Sequence, residues 1–96
     1  MSDNRDTSNR LNFEFEKIES SSYAFITKAV VEKFGLEIAS KLVQGFDEVF
    51  QDFKQGDKVV GLEWDIWSGY MVVAKRTVSE PLVREIAEYI SANHDT

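Results

Sequence analysis

Leu36–Gln55 reads LEIASKLVQGFDEVFQDFKQ, and the fold of the chain turns on how this stretch is taken. Ala39, Leu42, Val43, Phe46, Val49, Phe50 and Phe53 recur at spacings of three and four. Lys41, Gln44, Asp47, Glu48, Gln51 and Lys54 fall on the opposite side. That pattern predicts an amphipathic helix with a wide apolar stripe. Gly45 lies inside it at a cost of about 1 kcal/mol against alanine, which close packing can justify. Gly56 and Asp57 end it. On this reading Phe46, Phe50 and Phe53 belong to the core.

Upstream, Tyr23–Phe34 also reads as a helix, with Tyr23, Ile26, Val30 and Phe34 on one stripe. Ser20, Ser21 and Ser22 precede it, and a serine hydroxyl suits an N-cap. Gly35 either closes this helix or is a weak point in one continuous helix; both readings are open. Before the serines, Leu11–Ile18 alternates, with Leu11, Phe13 and Phe15 opposite Asn12, Glu14 and Glu16, the period of a half-buried strand. Met1–Arg10 is polar, balances Asp3 and Asp6 against Arg5 and Arg10, and is expected to be a disordered tail.

Downstream, Lys58–Asp65 and Tyr70–Arg76 read as strands joined by Ile66-Trp67-Ser68-Gly69, a tight hairpin loop. Val60, Leu62 and Trp64 share one face of the first; the buried face of the second is ambiguous. A last helix starts near Thr77 or Ser79, takes Pro81 into its first turn and carries Leu82, Val83, Ile86, Ala87 and Ile90, before fraying over Asn93–Thr96. The order is β-α-α-β-β-α. The expected fold is α+β: a single domain over residues 11–96, a two-layer sandwich of about three mostly antiparallel strands covered by about three helices.

The whole chain has 96 residues, 43% of them hydrophobic and 12% aromatic, enough for one core. It has no cysteine, which removes disulfides and thiolate metal sites. No stretch matches a signal peptide or a membrane span, so a cytoplasmic, reducing location is expected. The net charge of −6 disfavours nucleic-acid backbones and anionic membranes and attracts basic partners.

No catalytic motif is present: no GxGxxG, phosphate loop or HExxH, and the one histidine, His94, sits at the end of the chain. The carboxylates carry more. Glu14 and Glu16 point away from the core if Phe13 and Phe15 point in, and Glu63 and Asp65 do so if Leu62 and Trp64 point in. All four then share the open face of one sheet if their strands are close. Such a face can be merely solvated, can meet a basic protein, or can hold a divalent cation. Ile66 and Trp67 fall at the hairpin turn, where Trp67 either caps the core edge or stands in solvent as an anchor. Open sheet edges offer a further option, pairing with a second copy, with Lys75 and Arg76 expected to blunt one edge.

The run Gly61-Leu62-Glu63-Trp64-Asp65-Ile66-Trp67-Ser68-Gly69-Tyr70, followed by Val72-Val73-Ala74-Lys75 and a final amphipathic helix, resembles small acidic bacterial immunity and accessory proteins. The resemblance implies binding rather than catalysis and carries over no site residue. The expected function is therefore an interaction module for a basic protein partner, possessing no cofactor, with Glu14, Glu16, Glu63 and Asp65 as the field and Ile66 and Trp67 as the apolar anchor. A small-ligand or divalent-metal domain using the same face is the alternative. An enzyme would have to run on Glu63 paired with Glu14 or Glu16.

Overall fold

Lys58–Asp65 (β6) and Gly69–Ala74 (β7) form the hairpin at the centre of the molecule, with Leu62 opposite Val72 and Trp64 opposite Tyr70. This register sends Val60, Leu62, Tyr70, Val72 and Ala74 into one buried layer, which settles the face of β7. Leu11–Phe15 (β2) pairs with the other edge of β7, setting Phe13 beside Val72 and Phe15 beside Tyr70. A Cβ at Gly69 would overlap the Phe15 carbonyl oxygen and come within 2.8 Å of the Glu16 Cα, so the hairpin loop can close against β2 only because residue 69 is glycine.

The segment Leu36–Gln55 is not a helix. In the computed structural model, which describes residues 1–95, it forms Glu37–Ile38 (β3), Val43–Gln44 (β4) and Glu48–Gln55 (β5). β5 pairs along its whole length with β6, from Glu48 opposite Asp65 to Gln55 opposite Lys58. Val49 and Phe53 enter the core, Phe50 lies half-buried on the other face, and Phe46 stands fully exposed in the β4–β5 turn. A spacing of four puts residues 49 and 53 on one side in either a strand or a helix, so the apolar periodicity did not separate the two.

Ser2–Arg5 (β1), inside the stretch expected to be a disordered tail, pairs with β2, and Arg5 reaches Glu80 at 2.7 Å. The hydrogen bond from Arg5 draws the Glu80 carboxyl below the usual carboxylate range. The result is one antiparallel sheet of seven strands in the order β1-β2-β7-β6-β5-β3, with β4 also on β5. Two α-helices, Tyr23–Phe34 (α1) and Glu80–Asn93 (α2), cover one of its faces. The expected three strands under three helices is thus corrected to seven strands under two; the α+β class stands. Lys75 and Arg76 blunt no edge, because they follow β7 in the middle of the sheet.

Gly35 takes the left-handed conformation (φ 64°) and its N–H bonds to Val31 O, closing α1. The serines before α1 form a 3-10 turn and make no side-chain cap. Several polar groups of the core find partners, though Asn12 Oδ1 is buried without one: Thr27 Oγ1 and Tyr70 OH lie 2.7 Å apart, Tyr23 OH donates to Leu62 O, and Trp64 Nε1 donates to Ile18 O at 2.8 Å. Ser79 Oγ accepts the Val59 N–H at 2.7 Å. The end of α2 is held rather than frayed: His94 N and Asp95 N both donate to Ile90 O. Thr96 lies outside the described residues.

Candidate functional site

Strand spacing and helix width together leave part of the helix-side face bare. Six strands at about 4.8 Å separate the outer strands by about 24 Å, whereas two helices of about 10 Å cover about 20 Å. α1 lies over β6 and α2 over β7 and β2. The β1 margin is polar and solvent-exposed. The β5–β3–β4 margin is not: it meets the flank of α1 across an apolar groove of about 610 Å³.

Tyr23, Ala24, Thr27, Lys28 and Val31 of α1 form one wall of this groove. Ile38 of β3, Leu42 just before β4 and Phe46 of the β4–β5 turn form the other, and Val49, Phe53 and Trp64 the floor. Ile66 closes one end. Of the nine large apolar side chains that are exposed among the described residues, four (Ile38, Leu42, Phe46 and Ile66) line this one groove. The outer wall is held in place by polar bonds: Ser40 Oγ accepts the Asp52 N–H at 2.9 Å, and Gln51 Nε2 donates to Ser40 O at 3.0 Å.

The six residues singled out from the sequence divide between different places. Glu14 and Glu63 do share the open face of the sheet, one on each side of Met71. Glu63 is paired with Lys75 Nζ at 3.0 Å, and the same lysine lies 3.7 Å from Asp52, so a cation already sits within the carboxylates. Glu16 follows β2 and is exposed. Asp65 is engaged in the hairpin turn, where Oδ1 accepts the N–H groups of Trp67 at 2.9 Å and Ser68 at 2.7 Å. Trp67 stands 80% exposed at the tip. Ile66 alone of the six belongs to the groove.

Among the described residues no group of three or more His, Asp or Glu side chains is arranged to hold a metal ion. His94 packs edge-on between the rings of Phe25 and Tyr89, at 5.8 and 5.6 Å. No helix of the described residues is long and apolar enough to cross a membrane. No family model, curated protein or solved structure matches the chain. The groove was missed from sequence because its outer wall and two of its three floor residues, Val49 and Phe53, come from the segment read as a helix. The signal for it was Phe46 beside Gly45, an aromatic next to a turn residue.

Proposed function

We propose that the chain is a protein-interaction module that docks through the groove between α1 and the β3–β4–β5 margin. The observation that carries this is Phe46, fully exposed on the rim of a groove already flanked by exposed Ile38, Leu42 and Ile66. Contiguous exposed apolar side chains on a small domain mark an association surface. Exposed aromatics beside a preformed concavity are the usual anchors of such surfaces. A groove of about 610 Å³ has the size of a small-molecule site. A protein surface laid across it would cover the exposed Ile38, Leu42, Phe46 and Ile66 together.

The open face supports a second, separate contact. Asp52 and Glu63 lie there on the neighbouring strands β5 and β6, with Glu14 on β2 beyond β7, and a net charge of −6 steers a basic partner toward it, offset in part by Lys75. Photo-crosslinking in cells of the source separates the two contacts. A photoreactive amino acid in place of Phe46 is expected to trap a protein; in place of Glu63 it tests the basic partner. Trapping from position 63 alone would move the docking function to the open face. Trapping from neither, together with a thermal shift on adding apolar small molecules, would overturn the protein-docking reading in favour of a ligand.

A further inference from the structure

We infer that the protein surface that fills the groove is a second copy of this chain, docked about a twofold axis that passes through the groove. The inference rests on the docking reading above and names its partner. A twofold interface must be self-complementary: each patch has to carry both the projecting group and the hollow that receives it. This patch does. Phe46 projects from the outer wall, and the hollow beside it is lined by small or flat side chains of α1, Ala24 and Thr27 among them.

Charge agrees with shape. Lys28 stands exposed on the α1 wall, and Asp47 and Glu48 stand exposed on the opposite side. A twofold axis in the plane of the contact, running along the length of the groove, lays the α1 wall of one copy against the outer wall of the other. It therefore brings Lys28 of each copy to Asp47 and Glu48 of its mate, twice. The patch itself is close to neutral although each chain carries −6, so the remaining negative charge lies outside the contact. Strand-to-strand pairing is not the mode, because the sheet edge here is broken into two strands of two residues each, β3 and β4. The two open faces of the sheet stay free in such a dimer.

The charge arrangement gives the test. Lys28→Glu makes both sides of the patch acidic; Asp47→Lys with Glu48→Lys makes both basic. All three positions are exposed, and a melting curve checks that each variant is folded. Sedimentation of the wild-type chain is expected to show twice the chain mass. Each variant alone should dimerise about tenfold more weakly or worse, through like-charge contacts. Mixing the two should restore dimers, and native mass spectrometry should find one of each chain in them. A monomeric wild type, or a dimer indifferent to both variants, or no recovery on mixing, would overturn the inference. Trapping of a different protein from position 46 would also overturn it while leaving the docking reading intact.

Discussion

Lys75 reaches the Glu63 carboxylate at 3.0 Å by crossing the bare Cα of Gly61. A Cβ at residue 61 would lie 2.6 Å from both Lys75 Cε and Glu63 Oε2. The order β2-β7-β6-β5 is what brings these groups together, since Glu63 and Gly61 lie on β6, Asp52 on β5, and Lys75 just beyond β7. The acidic face is thus a face with a lysine tied into it.

Two glycine substitutions should behave differently for this reason. In Gly61→Ala only the far ends of flexible side chains must move, and the lost contact is a single partly exposed ion pair. A stability change within about 1 kcal/mol is expected. In Gly69→Ala the new methyl meets the backbone of β2 at a φ of +73°. A loss of more than about 2 kcal/mol is expected there. Urea unfolding of both variants measures the difference; equal losses would contradict the packing of β2 on the hairpin loop.

The core tyrosines make stability depend on alkaline pH. Burial pushes the Tyr23 phenol up to about 12 and raises Tyr70 further still. In the unfolded chain both ionise near their ordinary value of about 10. Their contribution is therefore complete below pH 10 and is lost as pH climbs from there through the folded values, by up to about 1.4 kcal/mol per pH unit for each tyrosine. Chemical unfolding between pH 9 and about 12 should show this fall. Tyr70→Phe should flatten it while lowering stability at neutral pH, since Thr27 loses its buried partner. An unchanged slope in that variant would count against the burial of the Tyr70 hydroxyl.

How much of this was legible in the sequence depended on whether one element or several decided it. The hairpin, β2, α1 and α2 each carry a periodicity of their own, and each stands where that periodicity puts it. Glu14 and Glu63 share a face because strand alternation fixes it once β7 lies between them. β1 carries no apolar signal; it is held by the free edge of β2 and by the Arg5–Glu80 pair, which are 75 residues apart. For β5 the deciding clue is local. Gly56-Asp57 joins Gln55 to Lys58 as a two-residue hairpin turn, and a Gly-Asp pair between apolar runs is a hairpin signal as much as a helix end. The groove depended on that assignment, and so could not be seen before it.

The two tryptophans are set up as an internal control. Trp64 is half-buried and bonded to Ile18 O, whereas Trp67 projects from a turn organised by Asp65. Trp67→Ala should change stability by no more than about 0.5 kcal/mol and remove the solvent-exposed part of the fluorescence emission. Asp65→Ala should cost about 1 kcal/mol by freeing two turn N–H groups. Trp64→Phe should cost about 1–3 kcal/mol, leaving the Ile18 carbonyl without its donor. Quenching by iodide checks the assignment, since only the Trp67 component should respond strongly.

Phe46 and Phe53 give the most direct test of the strand reading of Leu36–Gln55. As members of one amphipathic helix both would be buried, and truncating either would cost about 3–5 kcal/mol. In the observed sheet only Phe53 is in the core, beside Val60 on β6, while Phe46 is in solvent at the turn. Phe53→Ala should therefore cost about 3–5 kcal/mol. Phe46→Ser should leave the folding of an isolated chain within about 0.5 kcal/mol of wild type. Unfolding must be followed at a concentration low enough to dissociate any dimer, because docking of a second copy adds stability that rises with concentration. A large loss in Phe46→Ser at every dilution would return Phe46 to the core and take the groove with it; a loss confined to high concentration would come from the contact between copies.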